Sequence, residues 1–202
     1  MSAAEVRDPD EAREDLASYG PAADVAAALL ERETELDEQA FLAAVRRFSD
    51  SQLPSRGWER VLEVGAGAGT RAIVLAELGY ALTVVEPDEL RMRFVRHRFA
   101  RRGLEATFLQ VAAIDEIPGT FDAAFCFDPA ALALEADAAA GALRRCLRAQ
   151  ALLIGGPSFS SVDPDALVSR GFALVPDGDG DVITLRVRGS IGRTLGRSSS
   201  LR

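Results

Sequence analysis

Glycine falls on alternate positions in the stretch Val61-Leu62-Glu63-Val64-Gly65-Ala66-Gly67-Ala68-Gly69-Thr70, directly after an apolar run. Glycine tolerates φ > 0 and carries no Cβ, so this spacing predicts that a ligand touches the main chain here. Glu63 stands two residues ahead of Gly65. A carboxylate at that place repels a pyrophosphate and suits a ligand end with positive charge, such as an amino group or a sulfonium. Asp128 follows a second apolar run, Phe121 to Phe127, and can accept a proton from an O–H or N–H nucleophile. The competing role for it is a turn or helix-capping acid ahead of Pro129. The one histidine, His97, lies among Arg93, Arg96, Arg98 and Arg101 and reads as a surface or structural residue rather than a general base.

The spacing also discriminates between ligands. Dinucleotide-binding dehydrogenases use G-x-G-x-x-G, whereas this chain has G-x-G-x-G preceded by an acid. Glu63-Val64-Gly65-Ala66-Gly67-Ala68-Gly69 resembles the first motif of the class I S-adenosylmethionine-dependent methyltransferases. Glu86, in Leu82-Thr83-Val84-Val85-Glu86-Pro87, lies twenty-one residues after Gly65 and resembles their second motif. The resemblance covers roughly Trp58 to Arg188. It implies S-adenosyl-L-methionine as cofactor, S-adenosyl-L-homocysteine as product, and no metal. It implies that Glu86 accepts hydrogen bonds from both ribose hydroxyls, a task suited to an acceptor-only carboxylate, and that Pro87 packs near the adenine. Gly65, Ala66, Gly67 and Gly69 would line the donor, Arg91 would lie against the adenine, and Ala112, Ala113 and Phe127 would complete the cofactor contacts. The acid that the family often places after strand three is absent from Gln110-Val111-Ala112-Ala113-Ile114-Asp115, which leaves Asp115 or backbone groups to hold the adenine. The histidine that many small-molecule members carry near Ala131 or Leu132 is absent too. Asp128 is the catalytic candidate, with Tyr19 a second one from an N-terminal lid.

The elements that must position these residues alternate along the chain. Strands are expected at about 60–64, 81–86, 105–111, 121–127, 150–155, 171–176 and 181–188. Helices are expected at about 70–78, 88–102, 135–148 and 163–169, with Asp88 as an N-cap and Gly79 and Gly103 past helix ends. The fold class that follows is α/β: a seven-stranded, mostly parallel sheet with helices on both faces. The turn Pro176–Gly180 has no room for a crossover helix and predicts a C-terminal antiparallel hairpin. Residues 1–18 read as a disordered acidic segment, 19–57 as a helical cap with helices near 22–32 and 35–49, 58–188 as the cofactor-binding domain, and 189–202 as a disordered Gly/Ser/Arg tail.

Composition narrows the partners. The net charge is −8, with 23 cations that are all arginine, which disfavours nucleic acid as the main partner. Hydrophobic residues make up 48% of the chain, enough for a sizeable core. The two cysteines, Cys126 and Cys146, lack metal-ligand spacing and read as reduced thiols of a cytoplasmic protein. The N-terminus shows no signal-peptide pattern, and no apolar run is long enough to span a membrane. The expectation is therefore a methyltransferase for a small-molecule acceptor. A silent S-adenosylmethionine-binding subunit with a protein partner, or a protein or RNA methyltransferase, are the competing readings, and oligomerisation stays open.

Overall fold

The computed structural model describes Glu14, Asp15, Ser18, Tyr19, Phe41, Val45, residues 60–175 and residues 182–189. Most of the expected cap, the 176–180 turn and the tail beyond residue 189 lie outside the described residues. Seven strands form one sheet: β1 (Arg60–Val64), β2 (Ala81–Val85), β3 (Thr107–Leu109), β4 (Phe121–Cys126), β5 (Leu147–Gly155), β6 (Phe172–Val175) and β7 (Ile183–Val187). The strand order is β3-β2-β1-β4-β5-β7-β6. Strands β1 to β5 pair in parallel, and β7 runs antiparallel to both β5 and β6. The expected hairpin is therefore present, with its second strand inserted between β5 and β6.

Side chains alternate between the two faces, as the pleat requires. From Ala123 on, Ala124 and Cys126 enter one core cluster while Ala123, Phe125 and Phe127 enter the other; Phe121, ahead of the register shift in the β4–β5 pairing, joins the first. The second cluster is covered by α1 (Thr70–Glu77) and α2 (Glu89–Arg102), together with Phe41 and Val45. The first is covered by α3 (Ala136–Cys146) and α5 (Pro164–Ser169), with Phe159 of the single turn α4 (Pro157–Ser160). Helix α3 buries Ala136, Ala139, Ala140, Leu143 and Cys146, an apolar stripe at helical spacing. Each fully buried phenylalanine contributes about 1.5–3 kcal/mol.

Helix α2 has both ends fixed. The Asp88 carboxylate accepts from the Arg91 N–H at 2.9 Å, as the sequence predicts for an N-cap, and Gly103 ends the helix at φ 61°. Its Arg98 is only 2% exposed. That guanidinium donates to Asp15 Oδ2 at 2.8 Å, to Ala68 O at 2.8 Å and to Thr70 Oγ1 at 3.0 Å. Arg101 and Arg102 donate to Asp15 Oδ1 at 2.7 and 2.9 Å. Burial alone would raise the Asp15 pKa, but the hydrogen bonds from Arg102 and Arg98 outweigh it and hold it below the ordinary aspartate value. Residues 1–18 were expected to lack structure; among them Glu14, Asp15 and Ser18 are helical, and Asp15 is buried. The acid gains ordered partners that lie more than eighty residues away.

Candidate active site

Strand order reverses between β1 and β4, and in open α/β sheets ligands bind beyond the carboxyl ends of the strands at that point. The glycine turn leaves β1 there. Gly65, Gly67 and Gly69 have φ of 72°, 58° and 84°, values that side chains rarely adopt. A Cβ on Gly65 would stand 2.7 Å from Asp128 O and 3.1 Å from Ala131 Cβ. One on Gly69 would meet Val95 of α2 at 2.9 Å. The sequence reading assigned these glycines to close approach by a ligand. At both positions a neighbouring part of the protein already excludes a side chain.

Glu86 follows β2 and has no exposed surface. Its Oε2 accepts from the Gly67 N–H at 3.0 Å, and its Oε1 accepts from the Asp88 N–H at 3.1 Å. The carboxylate thus fastens the glycine turn to the start of α2. Burial raises its pKa above the ordinary glutamate value, and the two backbone donors oppose that shift. Each carboxylate oxygen offers more than one acceptor site, so these bonds do not exhaust its capacity.

A cleft of about 830 Å³ opens beside this turn. Gly65 and Gly67 form one wall with Arg71 of α1 and Arg91 of α2. Phe127, Asp128 and Pro129 come from the segment after β4, and Glu135, Asp137, Ser158 and Asp163 line the far side. Asp128 precedes a 3-10 turn (Pro129–Leu132) but its side chain makes no capping hydrogen bond there. Asp137 is bound in a two-pronged pair with Arg170, which holds its carboxyl below the ordinary range.

Five of the sequence-selected residues therefore share the cleft: Gly65, Gly67, Arg91, Phe127 and Asp128. Glu63 is buried near the end of β1, 3.4 Å from Arg71, and does not line the cleft. Ala66 is buried within the turn, and Pro87 is half-buried beside Glu86. Ala112 and Ala113 sit on the loop after β3, leading into the short turn Ile114–Glu116. Tyr19 packs its ring against Phe94 and His97 of α2, with centroids 5.1 and 5.2 Å away. His97 Nε2 lies 2.9 Å from Ser18 Oγ. Arg71 was not selected from the sequence. The available signal was a cation at the second position of an otherwise apolar helical run, Ala72-Ile73-Val74-Leu75. Cys126 is buried at the end of β4, and burial pushes its thiol up to about 12. At that value the thiol is protonated near neutral pH. Among the described residues, no three His, Cys, Asp or Glu side chains are placed to hold a metal ion, and no helix is long and apolar enough to cross a membrane.

Residues 61–151 match a family model described as a methyltransferase domain. The domain is similar in structure to magnesium protoporphyrin IX methyltransferase from Synechocystis with bound SAM, at 18% identity and TM-score 0.58, covering 75% of this chain and 79% of that one. It is equally similar to a T. thermophilus 16S rRNA methyltransferase in complex with AdoMet and guanosine, at 18% identity and TM-score 0.58, covering 74% and 42%. A ribosomal protein methylase from Lactobacillus delbrueckii aligns at 16% identity and TM-score 0.58, covering 76% and 80%. At such identities the likeness is one of fold. No curated protein sequence matches this chain.

Proposed function

We propose that the chain is an S-adenosylmethionine-dependent methyltransferase acting on a small-molecule acceptor. The observation that carries this reading is the buried Glu86 carboxylate, tied to the cleft-lining Gly67 of the glycine turn and to the start of α2 through Asp88. An acid so fixed presents its remaining acceptor sites in a defined direction, which suits the two hydroxyls of a ribose. Arg91, also on the cleft wall, can stack on a base through its planar guanidinium.

When bound, the cofactor supplies a methyl group on a sulfonium, ready for displacement. The chain's own part is to align the acceptor and keep water out. Alignment of this kind is worth about 7–11 kcal/mol, so a strong base is not required. Phe127 and Pro129 provide apolar wall beside the glycine turn, and Asp128, whose side chain caps nothing, can receive a proton from the acceptor. The net charge of −8 and the carboxylates Glu135 and Asp163 on the cleft wall favour a small molecule over RNA. A second reading, a donor-binding subunit without turnover, is favoured by the absence of an acid from residues 110–113 after β3 and of a histidine near Ala131 or Leu132.

Calorimetry with S-adenosylmethionine and S-adenosylhomocysteine tests the proposal. Wild type should bind both. Glu86→Ala should weaken binding by about 10- to 100-fold, the value of hydrogen bonds to a charged acceptor. No binding by wild type would overturn the donor-site reading. Binding without turnover across a broad acceptor panel would favour the silent subunit.

A further inference from the structure

The far end of the glycine turn is held from behind, by a side chain that does not line the cleft. Helix α1 starts at Thr70, after Gly69, with no side-chain capping hydrogen bond among the described residues and no acid in its first turn. A helix start carries partial positive charge, so an anion is the favoured neighbour there. The group that reaches it is a cation. Arg98 of α2 is buried and donates from Nη1 to Ala68 O at 2.8 Å and to Thr70 Oγ1 at 3.0 Å. A buried guanidinium beside a helix N-terminus is unfavourable on both counts unless a counter-ion accompanies it. Asp15 supplies that charge: it is buried too, and it accepts from Arg98 Nε at 2.8 Å. A second contact fixes the same approach, because the Tyr19 ring packs edge-on against Phe94 with centroids 5.1 Å apart. Asp15 and Tyr19 are one helical turn apart, and so are their partners Arg98 and Phe94.

Three glycines at positive φ make this turn costly to order, since glycine loses more backbone freedom than any other residue. Its near half is tied to β2: the Gly65 N–H donates to Val85 O at 2.9 Å, and the Gly67 N–H to Glu86 at 3.0 Å. Its far half, at Ala68 and Thr70, is where Arg98 reaches. We infer that Arg98 is a positioning residue for the methyl-donor site, that Asp15 sets its orientation, and that docking of the N-terminal residues on α2 thereby governs donor affinity. This inference rests on the donor-site reading above. Without Asp15 the guanidinium is a stranded buried charge, and its way to water takes both bonds off the turn. Neither Asp15 nor Arg98 belongs to the cleft wall, so the effect passes through the main chain of Ala68 and the start of α1.

The test is calorimetry with S-adenosylmethionine on the full chain, each variant held well below its own melting temperature. Asp15→Asn removes the counter-ion and should weaken the donor by about 5- to 150-fold, the range usual for coupling between two sites. That variant keeps Arg98 buried and uncompensated, which endangers folding. Asp15→Leu/Arg98→Met removes both charges together, an exchange that is often neutral for stability. It should melt close to wild type and still bind the donor more weakly by a similar factor. Arg98→Lys keeps an ion pair with Asp15, but a compact ammonium lacks the fork that spans Asp15 and the turn at once. Its donor affinity should fall as well, with little change in melting temperature. A clamp that serves stability alone would move the melting temperature and leave the affinity of the folded protein untouched. Wild-type affinity in the double variant or in Arg98→Lys therefore overturns the inference, while the donor-site reading stands. Wild type that binds no donor removes the donor-site reading itself.

Discussion

Glu86 has no contact with solvent, yet its two oxygens are held by backbone N–H groups at 3.0 and 3.1 Å. Burial wins over those donors, so the folded protein keeps a proton on Glu86 at a higher pH than a surface glutamate would. The consequence for stability has a definite sign. An acid with a raised folded pKa costs stability when ionised and returns it as pH falls through that value. Binding has the opposite sign, because a diol needs an acceptor-only carboxylate. Donor affinity should be constant near neutral pH and fall on acidification before the ordinary glutamate range is reached. Calorimetry across that range checks it; Glu86→Gln should bind weakly and without this limb. Glu63 and Glu86 stood out in the sequence because one lies next to the end of a strand and the other just past one, each at a fixed distance from the glycines. Arg71 was not legible, because a cation in the first turn of a helix usually points to water. Its burial comes from tertiary contacts with Glu63 of β1 and the Phe127 ring after β4, which spacing along the chain does not encode.

The same limit operates on whole elements. Helix α2 was readable from its Asp88 cap, its Gly103 stop and its apolar arc. That Arg98 belongs to the buried side could be inferred from its spacing with Phe94, Val95 and Phe99, but its partner could not. Asp15 sits in an acidic stretch without periodicity, and only tertiary structure brings it under three arginines. Removing one partner of a buried pair leaves a stranded charge and costs about 3–5 kcal/mol. Asp15→Ala should therefore lower the melting temperature markedly, whereas Glu14→Ala, at an exposed position, should change it little. Because the Asp15 pKa is depressed, this contribution is complete above the ordinary aspartate range. It is lost as pH falls through the lower folded value. The difference in melting temperature between wild type and Asp15→Ala should accordingly shrink in strong acid.

At the scale of the molecule, the alternation of strands and helices was sufficient to derive the sheet and both its covered faces. The position of β7 inside the sheet was not derivable from a short turn alone. A hairpin can add its second strand outward or fold it back, and Leu185, fully buried and paired with Leu153 on one side and Leu174 on the other, marks the inward choice. The acceptor is unreadable for a related reason. The glycine-turn side of the cleft is set by main-chain geometry, while the far side is built from side chains of α3 and the segments around α4, which can vary without disturbing the sheet.

Arg98 links these scales. One guanidinium is bonded at once to Asp15, to the Ala68 carbonyl and to the Thr70 hydroxyl. The earliest described part of the chain and the end of the glycine turn therefore cannot come loose independently at little cost. They belong to one cooperative opening unit. Deuterium exchange should report it: the amides around Asp15 and those of Ala68 to Thr70 should exchange with the same opening free energy, and Arg98→Met should free both together. Exchange that is released at the N-terminal residues alone would mean the two ends of that guanidinium act separately.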